Sequence, residues 1–131
     1  MTTLYRIFIL TAFIFTAAQA SAAALPQDML LLPPDGWVTN RAGVPFSHEL
    51  HDADGTVACI TCHHEWDGEG EPLGCASEGC HVSESRRDPM SFYGAFHDRN
   101  SERSCVGCHR TARRDSDARP PVSCNGCHVP Q

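Results

Sequence analysis

Cys59-Ile60-Thr61-Cys62-His63-His64 is the stretch that decides how this chain is read. Two thiols separated by two residues, with an imidazole directly behind them, form the C-x-x-C-H signature of covalent haem attachment. The sulfurs add across the haem vinyl groups as thioethers, and the adjacent histidine is held against the iron. Working outward, the signature recurs at Cys105-Val106-Gly107-Cys108-His109 and at Cys124-Asn125-Gly126-Cys127-His128. A looser version, with four residues between the thiols, runs from Cys75 to Cys80 and His81. All eight cysteines are used in these pairs. Four disulfides would suit a small secreted domain, but they give no reason for a histidine behind every second cysteine. Zinc would need an outside fourth ligand at each of four clusters. The pattern therefore predicts four haem c groups.

The histidine count extends the prediction. His63, His81, His109 and His128 follow the thiol pairs, which leaves His48, His51, His64 and His97 for four distal positions. Eight imidazoles meet eight axial sites. Methionine is the usual competitor as a distal ligand, but beyond the N-terminal segment only Met29 and Met90 are available. His64 cannot face the iron of its neighbour His63, so it must reach a different haem. Four bis-His irons are expected.

Composition agrees that something other than aliphatic side chains builds the interior. Past residue 20, Leu, Val, Ile and Phe number 6, 7, 1 and 3, which is 17 of 111 residues, about 15%. A chain so poor in large apolar residues ordinarily fails to fold. Haem faces would supply the missing apolar surface, at roughly 25 cal/mol per Å² buried. The formal charge of −6 argues against a nucleic-acid binder. It is unevenly spread: residues 21–85 hold eleven acids and one Arg (−10), whereas residues 86–131 hold eight Arg and five acids (+3).

Residues 1–20 read as a signal peptide, with a charge at Arg6, an apolar run from Ile7 to Ala18, and cleavage near Ala20 or Ala24. The run is shorter than the roughly 20 residues of a spanning helix. Export to the periplasm is expected, with no stable membrane insertion after cleavage. Residues 21–34 read as a flexible leader and 35–131 as a tetrahaem cytochrome domain. Within that domain Trp37–Thr39 and Val44–Phe46 suggest a short β-hairpin around Asn40–Gly43. Ser91–Asn100 is the best helix candidate, short helical turns are expected around Arg103–Arg113, and the rest reads as loop.

These residues resemble the tetrahaem class III cytochromes c, the cytochrome c3 family of sulfate-reducing bacteria. The likeness rests on Val44-Pro45-Phe46-Ser47-His48 with His51 following, the His63-His64 pair, the four-residue spacer of the second site, and His97-Asp98 ahead of the third. It implies a small multihaem fold, mostly loops with a few short helices, around four closely packed haems. It also implies the ligand pairs His48/His63, His64/His81, His51/His109 and His97/His128, with Phe46 between the first and third haems. Family members often have four residues between the cysteines of the fourth site and lysines around its haem. Here the spacer is two and there is no Lys, so Arg110, Arg113, Arg114 and Arg119 are the available cations. The acidity is similar to that of the membrane-complex-associated branch.

Six-coordinate iron leaves no position for substrate, and with every imidazole used no general base remains. The expectation is a low-potential electron carrier, not an enzyme. The resemblance implies partners such as hydrogenase, formate dehydrogenase or a membrane-bound redox complex. A multihaem reductase would require one distal histidine not to be a ligand. A membrane-anchored tetrahaem quinol oxidase subunit would require residues 7–24 to be retained.

Overall fold

A computed structural model of the chain describes residues 28–52 and 55–130. The expected signal peptide and most of the expected leader lie outside these residues. The described part contains two three-residue strands, β1 (Met29–Leu31) and β2 (Val44–Phe46). Five helical segments follow: α1 (His48–Asp52), α2 (Cys59–Cys62), α3 (Phe92–His97), α4 (Cys105–Asp115) and α5 (Cys124–Cys127). Everything else is turn and loop.

The antiparallel pair forms, but its first strand is not the one expected. Met29 pairs with Phe46, Leu30 with Pro45 and Leu31 with Val44, whereas Trp37–Thr39 is not a strand. Pro33-Pro34-Asp35-Gly36 explains the shift. Trp37 donates its amide to the Pro34 carbonyl across a turn in which Gly36 has a positive φ, so Trp37 is committed to that turn. The chain then has to loop back before β2 can find a partner, and the apolar Met-Leu-Leu run further upstream supplies it.

Three helices begin in the same way. Ser91, Ser104 and Ser123 sit in extended conformation at the N-caps of α3, α4 and α5, and each hydroxyl accepts from the amide of a glycine three residues on: Gly94, Gly107 and Gly126. Such a cap satisfies one of the otherwise unpaired amides of a helix start. The glycines also permit close approach. A Cβ on Gly94 would lie 2.7 Å from the Pro89 carbonyl oxygen, and one on Gly107 would lie 2.7 Å from that of Asp98. Gly107 thus lets α4 press against the chain that leaves α3, and these two helices pack on each other.

No hydrophobic residue among those described is buried; the buried side chains are Ser91 and Ser104. Ser104 Oγ donates to the carbonyls of Asp98 and Ser101, fixing the α3–α4 corner through hydrogen bonds rather than a greasy contact. Leu50, Ile60 and Leu73 are all more than half exposed. The described residues alone form no apolar interior.

Candidate haem-binding site

Each thiol pair is presented on a tight turn that ends in its histidine. In α2 the His63 amide donates to the Cys59 carbonyl at 2.9 Å, and in α5 His128 does the same to Cys124 at 2.8 Å. The third pair occupies the first turn of α4. The second pair shows how a four-residue spacer fits the same plan. Turns at Gly74–Ser77 and Ser77–Cys80, with Gly79 at φ +81°, loop the extra residues out. The His81 amide still reaches the first cysteine, Cys75, at 2.9 Å. All eight cysteines are free thiols. Burial pushes the Cys105 thiol up to about 11 and raises Cys62, Cys75 and Cys127 as well, which keeps them in the S–H form.

The histidines come together in four pairs. His48 faces His63 with ring centres 6.5 Å apart and planes within 8°. His51 faces His109 at 6.1 Å and 15°, and His97 faces His128 at 6.0 Å and 6°. His64 faces His81 at 5.9 Å, with planes crossed at 67°. These are the four partnerships that the family resemblance implies. Parallel rings 6 Å apart are too distant to touch. One metal bonded to a nitrogen of each ring at about 2 Å holds ring centres about 6 Å apart, so the gap fits an iron. No group of three or more His, Cys, Asp or Glu among the described residues is arranged to hold a metal by itself; the donors are opposed pairs.

Hydrogen bonds decide which nitrogen is free in seven of the eight rings. Nδ1 meets a backbone carbonyl in His51 (Ser47, 2.8 Å), His63 (Leu73, 3.2 Å), His81 (Met90, 3.0 Å), His97 (Tyr93, 3.0 Å), His109 (Pro121, 2.7 Å) and His128 (Ala42, 2.7 Å). A carbonyl can only accept, so Nδ1 carries the proton and the Nε2 lone pair of the neutral ring is left for a metal. His64 Nδ1 donates instead to the Glu65 carboxylate at 3.0 Å. His48 Nδ1 is buried without a partner. Burial also holds His48 and His97 below the ordinary histidine value, the first further lowered by His63 and His51. Both rings are therefore neutral ligands in waiting.

Aromatic neighbours support the distal rings. Phe46 stands edge-on to His48 at 4.8 Å and nearly parallel to His51 at 4.6 Å, a wedge between two pairs. Tyr93 lies flat on His97 at 4.1 Å and 2°. The motif reading found the thiols and imidazoles, but it missed Tyr93, Glu65 and the six carbonyl acceptors. Two of those acceptors were within its reach, because Ser47 and Tyr93 precede His51 and His97 by one helical turn. The others belong to loops whose path no local pattern fixes.

Four thiol pairs and four opposed imidazole pairs, with no apolar core among the described residues, define a small multihaem c-type cytochrome. The model of the Class III cytochrome C family matches residues 25–128, and the chain belongs to that family. A cytochrome c3 from Desulfovibrio desulfuricans is 43% identical over 104 residues, which is 79% of this chain and 94% of the relative. The 26 kDa cytochrome c3 of Desulfomicrobium norvegicum is 35% identical over 109 residues, 80% of this chain and 96% of that protein. Among solved structures, the di-tetraheme cytochrome c3 from Desulfovibrio gigas superposes with a TM-score of 0.71 at 33% identity, covering 81% of this chain and 98% of the other. Membership implies covalently bound haem c and an electron-transfer role. The eight cysteines provide for four groups.

Proposed function

We propose that the chain is a periplasmic, low-potential electron-transfer protein holding four bis-His haems. Cys59/Cys62, Cys75/Cys80, Cys105/Cys108 and Cys124/Cys127 would anchor them. The ligand pairs would be His48/His63, His64/His81, His51/His109 and His97/His128. The observation that carries this reading is the set of four imidazole pairs with ring centres 5.9–6.5 Å apart. When bound, each haem supplies a one-electron store whose two imidazoles favour the ferric state, lowering its potential relative to His/Met ligation. The chain's own work is to fix seven of the eight rings by an Nδ1–H bond and His48 by packing against Phe46, deny the iron an open position, and space the four stores closely.

Electron delivery would be to protein partners such as hydrogenase, formate dehydrogenase or a membrane-bound complex. The basic half offers the docking cations, though not all are free. Arg114 is committed to Asp115 through bonds of 2.7 and 3.0 Å, and Arg119 folds onto the Ser116 and Ala118 carbonyls. Arg110 and Arg113, one turn apart on α4 and exposed, form no ion pair among the described residues. They would steer an acidic partner. No helix among the described residues is long and apolar enough to cross a membrane; the export signal carries the periplasmic assignment.

The test is a pyridine haemochrome assay with intact mass, joined to electron paramagnetic resonance of the oxidised protein. Four haems, all low-spin, are expected. Fewer haems, or a high-spin signal from an open iron, would overturn the reading. Arg110→Glu with Arg113→Glu should slow electron exchange with an acidic partner at low salt, an effect that disappears at high salt.

A further inference from the structure

Arg86 has no part in haem attachment, yet its guanidinium carbon sits 5.2 Å from the centre of the Tyr93 ring. That is within the range of a cation–π contact. Tyr93 in turn lies flat on His97 at 4.1 Å, and His97 opposes His128. A cation over a phenol ring, and that ring stacked on a ligand imidazole, thus meet at one of the four sites. None of the other distal histidines has this arrangement: Phe46 carries no guanidinium among the described residues, and His64 is bonded to a carboxylate.

The geometry is held from both ends. Tyr93 and His97 are four residues apart on α3, on one helical face, and the Tyr93 carbonyl accepts the His97 Nδ1 proton at 3.0 Å. One residue therefore fixes both the face and the hydrogen bond of the ligand ring. Arg86 belongs to a loop closed by the Phe92 amide donating to the Ser83 carbonyl at 3.1 Å and by a turn from Ser85 to Asp88. The charged neighbours are Arg87, Asp88 and Asp98, which line the same hollow. Neither carboxylate pairs with Arg86 among the described residues.

We propose that Arg86, acting through the ring of Tyr93, tunes the iron held by His97 and His128 so that this haem is reduced more readily. The inference rests on the bis-His reading above. Its physics is simple. A positive charge above the stacked rings draws electron density away from the imidazole, weakening its donation, and directly favours the state with one more electron. Hydrogen bonding, charge and ligand donation around the iron are the means by which a protein sets such a potential. Arg86 and Tyr93 are positioning residues that act through His97.

The experiment is a reductive titration of the holoprotein followed by nuclear magnetic resonance, with haem methyl signals assigned to each site. In Arg86→Gln the reduction equilibrium constant of the His97/His128 haem should fall two- to fivefold at low salt, about 20–40 mV at 59 mV per tenfold. Arg86→Lys should restore most of it. The shift should shrink at high salt, since Arg86 is exposed. Tyr93→Phe should keep the wild-type value, and in a Tyr93→Leu background Arg86→Gln should have a clearly smaller effect, that of the charge acting directly. An unchanged equilibrium in Arg86→Gln, or an equal fall at all four haems, overturns the proposal. A wild-type protein with fewer than four haems by mass overturns the bis-His reading instead, so the two failures are distinct.

Discussion

The first and last attachment turns, α2 and α5, are the same length and close with the same histidine-to-cysteine bond, yet they begin differently. Ser123 caps α5 with its hydroxyl on the Gly126 amide, whereas α2 starts at Ala58, which has no side-chain cap. The contrast extends to the two halves of the domain. From Ser91 onward, each helix opens on a Ser-x-x-Gly sequence, and glycine lets α4 approach the α3 exit. Between His63 and Met90 the chain is held by turns and the Ser83–Ser91 bridge. The imidazoles divide in a similar way. The pair drawn wholly from residues 59–90, His64/His81, is the one with crossed planes. A ligand on a capped, packed helix inherits that helix's orientation, and a ligand on a loop takes its orientation from whatever accepts its Nδ1 proton.

The largest expected effect comes from removing the close approach. Gly107→Ala drives a Cβ into the Ser101 and Asp98 carbonyls, backbone that cannot swing aside, and should cost about 3 kcal/mol. Gly74→Ala, whose Cβ would find only Ser77 Oγ at 3.9 Å, should change stability by about 0.5 kcal/mol or less. Denaturant melts of the two holoproteins would expose equal costs, which would erase the distinction between the halves. Next in size, Ser104→Ala removes a cap and two hydrogen bonds from a buried corner, a loss of about 2 kcal/mol in the same assay.

The comparison also predicts a gain. Ala58 already has the extended backbone of a cap residue, so Ala58→Ser should stabilise α2 by about 0.5–1 kcal/mol, read as a rise in the melting midpoint. The smallest effect concerns the crossed pair. Replacing the Glu65 carboxylate by an amide in Glu65→Gln makes His64 a weaker donor. The His64/His81 haem should then be easier to reduce, by two- to threefold in equilibrium constant, about 20–30 mV. Glu65 is 75% exposed, which keeps the shift small. A fall in that potential would contradict the account.

The thiols and imidazoles were legible because covalent and coordinate chemistry demands particular residues at short spacing. So was α3, whose phenylalanines Phe92 and Phe96 meet at 4.9 Å as a one-turn pair should. The first strand was not legible. Trp37–Thr39 has the stronger β composition, and only the turn at Pro34 disqualifies it, a matter of chain path rather than propensity. The same limit hid the acceptors Leu73, Met90, Pro121 and Ala42, since any residue can offer a carbonyl and nothing in the side chain advertises it.

One of those carbonyls joins distant parts of the molecule. His128 donates to Ala42, two residues before β2, across a separation of 86 residues. The entropy of closing so long a loop grows only slowly with its length, so the clasp is inexpensive once the intervening chain is in place, and meaningless before. The imidazole of the carboxyl-terminal site is thus aimed by a segment near the start of the described residues. Any shortening that removes Ala42 should therefore be felt first at the His128 site, far away in sequence.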